Sequence, residues 1–329
     1  MKESCIIFGG GGFIGSHILE KLLTLNQKVV GVDDFSTGDR SNLDAVRELV
    51  GEARWSNFSF HQGDIRDGAL VTEICQGVDV VLHQAALASV PRSIDDPVSS
   101  TAVNVTGTVQ ILFAAHKAGV KRFVYASSSS VYGDEETLPK VEDRLGKTLS
   151  PYALSKYTDE LYAELFSSVY GIECIGLRYF NVFGPRQNPN GPYAAVMPRW
   201  VEALEQGKSC EIYGDGETSR DFCFVANAVQ ANILAACVTE KEALNTAYNI
   251  AVGDRTTLTE LFDLLAARID KAMGRTESSK VVYKPFRTGD VRHSLADISK
   301  ARRLLGYEPQ VKISEGITKY VDWLTASKA

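Results

Sequence analysis

Glycines at positions 9, 12 and 15, set between two short apolar runs, constrain this chain more than any other feature in it. Ser4-Cys5-Ile6-Ile7-Phe8 reads as a buried strand, and Gly9-Gly10-Gly11-Gly12-Phe13-Ile14-Gly15 follows at once. From Ser16 to Leu25 the apolar residues Ile18, Leu19, Leu22 and Leu23 recur at helical spacing. A second strand, Lys28 to Val32, ends on Asp33. Glycines at these three places allow a tight turn, close approach of backbone to a pyrophosphate, and close packing of helix on strand. The helix start then offers free N–H groups and the positive end of its dipole to that phosphate. Asp33 can accept from both hydroxyls of an adenosine ribose, and a 2′-phosphate would meet its charge, so the expected cofactor is NAD rather than NADP.

Further along, strand-like and helical runs keep alternating. Strands are expected at 58–61, 78–83, 122–127 and 172–177, and helices near 68–76, 98–118 and 151–170. Alternation of this kind implies an α/β fold, a doubly wound parallel (Rossmann) sheet covered on both faces. After Leu177 the pattern breaks into a Gly/Pro/Asn-rich loop, 181–192. Helices near 195–206, 225–238, 257–271 and 313–327, with strands at 209–213 and 280–284, finish the chain. The expected division is residues 1–180 with about 222–252 as a dinucleotide-binding domain. Residues 181–221 and 253–329 form a smaller, interleaved substrate-binding α/β domain, with a cleft between the two.

Composition restricts the partners. The net charge of −6 argues against nucleic acid and anionic membranes. No apolar stretch reads as approaching membrane-spanning length, and the start MKESCIIFGG reads as a strand rather than a signal peptide. The six cysteines lack metal-ligand spacing, so no metal is expected and reduced thiols in the cytoplasm are. Lys300, Arg302 and Arg303 read as a solvated helix face.

The chemistry is concentrated between residues 123 and 156. An apolar strand closes on Ser127-Ser128-Ser129-Ser130, and SPYALSK follows with Tyr152 and Lys156 four residues apart. On a helix those two share a face. A nearby ammonium favours the phenolate, and a serine hydroxyl at the strand end could bridge it to a substrate hydroxyl. Singly, a serine run is packing and YxxxK is chance. Following a dinucleotide-binding unit, the set is apparatus for taking a proton from an alcohol.

Taken in order, GGGGFIGSH, VDDFSTG, GDIRD, HQAALASVPRS, YASSSSVYGD, SPYALSK, LRYFNVFGPRQ, YGDGETSRDF and RTGDVRHSLADISKARRLLGY resemble the extended short-chain dehydrogenase/reductase superfamily, in its nucleotide-sugar branch. NPNGPYAAVMPRW is most similar to bacterial UDP-N-acetylglucosamine 4-epimerases of the O-antigen and capsule type. Phe8 stands where relatives usually have Thr, and Gly11 where Ala is common; neither removes a required glycine. The resemblance implies cofactor contacts at Gly9, Gly12, Phe13, Ile14, Gly15, Asp33, Phe35, Ser36, Thr37 and Gly38. It implies further ones at Asp64 and Ile65 (adenine), Gln84, Ala85 and Ala86 (strand end), and at Asn104, Tyr152, Lys156 and Tyr179. For the UDP-sugar it implies Ser89, Ser128, Asn181, Ala195, Val196, Trp200, Tyr213, Arg220, Arg287, Asp290 and Ser294. A homodimer through the helices near 98–118 and 151–170 is expected by the same analogy.

The implied reaction is reversible 4-epimerisation through a 4-keto sugar. Tyr152 takes the proton from the 4-hydroxyl, Ser128 holds the same oxygen with Ser129 or Ser130 in support, and NAD carries the hydride. Relatives that dehydrate or decarboxylate keep a carboxylate within the strand-end triplet; here none occurs before Asp134. Ser294 falls where relatives face the C2 substituent, and a small residue there admits an N-acetyl group. The expected pair is UDP-GlcNAc and UDP-GalNAc, with UDP-Glc and UDP-Gal slower. Competing readings are a 4-epimerase of UDP-hexuronic acids, which needs an extra cation near C6, a non-catalytic NAD or nucleotide-sugar binding protein, and a net oxidoreductase.

Overall fold

The computed structural model describes residues 4–189, 195–275, 279–286 and 291–326. Seven strands form one sheet: β1 (Ser4–Phe8), β2 (Lys28–Asp33), β3 (Phe58–Gln62), β4 (Val80–His83), β5 (Arg122–Ser128), β6 (Glu173–Tyr179) and β7 (Thr246–Ile250). Their order is β7-β6-β5-β4-β1-β2-β3, and every neighbouring pair is parallel. Successive side chains of a strand point to opposite faces, and β1 shows the result. Cys5 and Ile7 join one buried cluster with Ile18, Leu22 and Val124. Ile6 and Phe8 join another with Ile111, Phe123 and Phe166. Both faces are therefore covered, as parallel sheets require.

The helices doing the covering are α1 (Phe13–Thr24), α2 (Arg40–Val50), α3 (Gly68–Ile74), α4 (Gly107–Ala118) and α5 (Pro151–Tyr170). The second half adds α6 (Val196–Glu205), α7 (Val225–Cys237), α8 (Leu258–Ala272), α9 (Ser299–Leu305) and α10 (Ile313–Ala326). α7 packs against the large sheet. A third core, containing Trp200, Leu204, Ile212, Phe222, Leu261 and Tyr320, holds α6, α8 and α10 together. Beside it, Cys210–Tyr213 pairs in parallel with Val281–Lys284.

Strand order reverses between β1 and β4. Ligands of doubly wound sheets lie beyond the strand ends at such a point, which puts the Gly9–Gly15 turn and the Gln84–Leu87 segment on either side of one crevice.

Several elements differ from the sequence reading. α2 was not anticipated, although Asp39 caps it by accepting from Ser41 N at 2.8 Å and Leu43, Val46 and Val50 are buried. β7 was not anticipated either: TAYNI is short, and pairing with β6 makes it a strand. The helix expected over 98–118 is interrupted. Short helices at Val90–Asp95 and Pro97–Thr101 lead into a wide π-type turn, Ala102–Thr106, before α4 begins. Contrary to the reading of apolar stretches, the run Pro97–Ala118 is, at 22 residues and a mean hydropathy of 1.2, long and apolar enough to cross a membrane by length and composition. It packs on α3 and α5 with polar Asn104 and Thr108 buried within it, the position of a core helix. Lys300 is not solvated: its Nζ donates to Thr246 Oγ1 (2.7 Å) and Ala247 O (3.0 Å), tying α9 to β7.

Candidate active site

The Gly-rich turn folds back on its own strand neighbour. Gly9 N and Gly10 N both donate to Val32 O, at 2.8 and 3.1 Å. A Cβ at Gly15 would stand 2.0 Å from Gly9 O, and one at Gly9, whose φ is +87°, would stand 2.7 Å from Ala85 N. α1 begins with Gly12 as its N-cap, without a side-chain cap and without an acidic residue in its first turn. Its leading N–H groups are thus left for an anion.

Asp33 lies across the same turn. Its Oδ2 accepts from Gly11 N (2.9 Å) and its Oδ1 from Phe35 N (2.8 Å). Burial raises its pKa, opposed by those two bonds. A carboxylate oxygen can accept more than once, so both remain able to take a ribose hydroxyl. Gly9, Gly12, Phe13, Ile14, Gly15, Asp33, Ser36, Thr37, Asp64, Ile65, Gln84, Ala85 and Ala86 line one cavity of about 240 Å³. A capless helix start, a turn with no room for a Cβ at Gly9 or Gly15 and an acid at the far end fit a dinucleotide.

Phe35 and Gly38 do not line that cavity. Phe35, at φ +58°, packs its ring on Phe60 at 5.3 Å, and a Cβ on Gly11 would meet that ring at 2.5 Å. That contact gives a local reason for glycine at position 11. The other unusual residue, Phe8, is fully buried edge-on against His83. Asp64 reaches the cavity with its carboxylate held by Arg66, whose Nε lies 2.9 Å from Oδ1.

On the other side of the crevice, β5 ends in a 3₁₀ turn, Ser129–Tyr132. Ser128 Oγ accepts from Ser130 N (3.2 Å) and Ser130 Oγ (3.0 Å). Ser127 points to the buried face and donates to Glu160, itself locked by Arg178. α5 packs across β5 and this turn. Its start is set by Ser150, which accepts from Ala153 N at 3.1 Å, and by Pro151 in the first turn, where a missing N–H costs nothing. Tyr152 N donates to Ser93 Oγ at 3.0 Å. One turn on, Lys156 is 2% exposed, with Nζ 3.2 Å from Asp159 Oδ2.

Asn104 joins the two sides. Its Oδ1 accepts from Leu87 N (2.8 Å), and its Nδ2 donates to Ser155 Oγ (3.0 Å), which in turn donates to Tyr152 O (2.8 Å). The π-type turn places it there, a widening often found at functional sites. Gln84, Tyr179 and Asn232 close a small ring. Tyr179 OH donates to Gln84 Oε1 (3.0 Å), Asn232 Nδ2 donates to Tyr179 OH (2.7 Å), and Gln84 Nε2 donates to Asn232 Oδ1 (3.0 Å).

A second cavity, of about 390 Å³, gathers Asn181, Val196, Trp200, Tyr213 and Arg220, with Arg199, Thr218 and Leu258. Of the other residues expected to meet a substrate, Ala195 caps α6. Ser89 caps the helix Val90–Asp95 by accepting from Arg92 N (3.2 Å). Ser294 N donates to Ser219 O (3.0 Å), which places the 294 segment beside Arg220. Arg287 and Asp290 lie outside the described residues.

Asp221 was missed by sequence reasoning. Fully buried, it accepts from the backbone N–H groups of Val252, Gly253 and Ala296, and burial pushes its carboxyl up to about 6. Its only sequence signal was its place beside Arg220. Asn232, Ser93, Ser155, Arg199 and Asp159 were missed too, since each is defined by partners distant in sequence or by burial.

Residues 5–251 match the NAD dependent epimerase/dehydratase family. The chain is 37% identical over 321 residues, 97% of each protein, to a putative UDP-glucose 4-epimerase of Methanocaldococcus jannaschii. A solved UDP-N-acetylglucosamine 4-epimerase from Methanobrevibacter ruminantium, in complex with UDP-N-acetylmuramic acid, is similar at a TM-score of 0.90 and 36% identity, over 99% of this chain and 100% of that one. A UDP-glucuronic acid 4-epimerase from Bacillus cereus, with UDP-glucuronic acid and NAD, gives 0.86 and 29%, over 98% and 99%.

Proposed function

Because the chain belongs to the NAD-dependent epimerase/dehydratase family and so works on a nucleotide sugar with NAD, we propose that it interconverts UDP-N-acetylglucosamine and UDP-N-acetylgalactosamine, and UDP-Glc and UDP-Gal more slowly. The observation that carries the reaction type is the make-up of the strand end. The turn there carries the hydroxyls of Ser128 and Ser130, and the helix that packs on it, α5, carries the Tyr152 phenol and the Lys156 ammonium. The acids nearby each have a partner: Asp159 in Lys156 at 3.2 Å, Glu160 in Arg178, Asp134 in Lys147 N at 2.6 Å, and Glu135 in Thr137 N at 2.8 Å. Elimination at C5 and C6 needs a further positioned acid and base; inversion at C4 needs only the one group that takes and returns the hydroxyl proton.

When bound, NAD supplies a hydride acceptor that can return the hydride. Tyr152, as phenolate, accepts the proton of the 4-hydroxyl and later gives it back. Ser128 donates to the same oxygen. Lys156 supplies the positive charge that favours the phenolate. Asn181 and Arg220, in the second cavity, are suited to the sugar and the diphosphate, the latter because a guanidinium fork matches phosphate oxygens. Division into residues 1–180 with 222–252, and 181–221 with 253–329, follows from this split of labour. Six cysteines, five of them buried, support a cytoplasmic setting.

Ser294 is assigned to sugar choice. Replacing Ser294 with Tyr is expected to abolish turnover of the acetamido sugars and to spare UDP-Glc. The check is kcat/KM for UDP-GlcNAc, UDP-Glc and UDP-glucuronate, with products resolved by NMR and no NAD added. Equal losses on all substrates would overturn the assignment, and wild-type preference for the uronate would replace the substrate reading. The working unit is taken as a homodimer. Leu154, Leu161, Leu165 and Val169 are about half exposed or more along one side of α5, an apolar stripe that a second copy would bury. Charging it with Leu161→Glu and Leu165→Glu should yield monomers in size-exclusion chromatography with light scattering.

A further inference from the structure

Lys156 is buried, and its charge needs a partner. Its side chain is 2% exposed, and that of Asp159, one turn along the same face of α5, is 1% exposed. An isolated buried ammonium is costly and gives up its proton readily. The elements packed around this pair offer little help. His83 on β4 is wholly buried and held neutral, its pKa pushed down to about 3 by burial and then by Lys156. Tyr125 on β5 is a phenol raised far above its ordinary range by burial. Glu160, the next residue on α5, is committed to Arg178 on β6 through two hydrogen bonds, at 2.9 and 2.7 Å.

Thr108 on α4 stands beside the carboxylate, but its one hydroxyl proton goes to Asn104 O at 2.5 Å. His83 Nε2 must then donate to Thr108 Oγ1, 2.9 Å away. Asp159 Oδ1 and His83 Nδ1 are accordingly buried without a hydrogen-bond donor. An under-solvated carboxylate in such surroundings has one strong reason to stay ionised, and that is the ammonium.

We propose that Asp159 is the positioning residue for Lys156: its carboxylate keeps the lysine charged inside the site and accepts a hydrogen bond from one of its three ammonium N–H groups, leaving the other two to face the site. This rests on the reading that Lys156 acts with Tyr152, and names the residue that makes Lys156 competent. Burial lifts Asp159 itself to about 6 against the pull of Lys156, so the pair is fully charged only above that pH. Because its folded pKa is raised, ionising Asp159 on the way up costs stability, and the return is a charged Lys156.

The test is Asp159→Asn, which keeps the shape and removes the charge. The lysine should then lose its proton at lower pH, so the alkaline limb of kcat/KM moves down by at least about one unit, about tenfold in rate on that limb. Ultraviolet difference titration, with Tyr152→Phe as blank and without substrate, reads the phenol directly. Over the pH range in which the variant's lysine has lost its proton and the wild type's has not, Tyr152 lacks its neighbouring cation and should be less ionised than in wild type, in apo and NAD-loaded protein alike. A uniform drop in kcat with both limbs and the phenol titration unmoved would overturn the proposal and leave Asp159 a structural residue. Should Asp159→Asn fail to fold, the double variant Lys156→Met with Asp159→Asn decides. Recovery of the fold supports a counter-ion role, and failure of the double variant rejects it. If Tyr152→Phe itself kept full turnover, the reading of the site would fall instead, whatever Asp159 does.

Discussion

Replacing Tyr152 with Phe is expected to cut kcat by about 10²- to 10⁴-fold, the usual range for removing a general acid–base group, while the protein stays folded and keeps NAD. The fold should survive because the contacts that place the start of α5 belong to other atoms. Tyr152 N, not its ring, meets Ser93 Oγ, and its carbonyl accepts from Ser155. Ser150 and Pro151 set the helix start without the phenol. Unchanged circular dichroism and cofactor content, alongside collapsed conversion of UDP-GlcNAc, is the predicted pattern. Conversion within tenfold of wild type would remove Tyr152 from the chemistry.

The second large effect is expected from a single methyl group. Gly15→Ala puts a Cβ 2.0 Å from Gly9 O and 2.8 Å from its carbon, both backbone atoms with no rotamer to escape into. Either α1 moves away from β1 or the turn opens, and in both cases the phosphate cradle loses its shape. Overpacking of this kind costs about 1–3 kcal/mol, and NAD should be missing from the purified protein. Gly12→Ala is a graded comparison, since its Cβ would meet the same oxygen at 3.2 Å and should cost much less. Cofactor extraction and thermal unfolding with and without NAD measure both. Normal NAD content in Gly15→Ala would show that the turn accommodates the methyl.

What could be read from the chain follows from how local the signals are. The β1–turn–α1–β2 unit is written in adjacent residues, so the glycines, Asp33 and the parallel sheet were all legible. Tyr152 and Lys156 are one turn apart and needed only a helix. Asp159 is equally local, yet nothing marked it, because its importance comes from burial and from Glu160 being already taken. β7 was invisible for a different reason: Thr246–Ile250 is only five residues long, with Ala247 and Asn249 between its β-formers, and β6 supplies its hydrogen bonds. Asn104 could be named from the resemblance but its partners could not, since the π-type turn that lets it reach both Leu87 and Ser155 leaves no periodicity to read. Asp221 fastens three loops far apart in sequence, a role that only proximity in space reveals.

β7 arrives at the large sheet only after the chain has left it and laid down α6 and the strand Cys210–Tyr213 of the second lobe. A fragment ending near residue 180 would therefore carry β6 as a raw margin, its backbone donors and acceptors facing water where β7 should be. Such margins recruit other chains. A nascent or truncated N-terminal half is on this account self-adhesive until residues 246–250 have been made, and separate expression of that half should give aggregates rather than a free NAD-binding module.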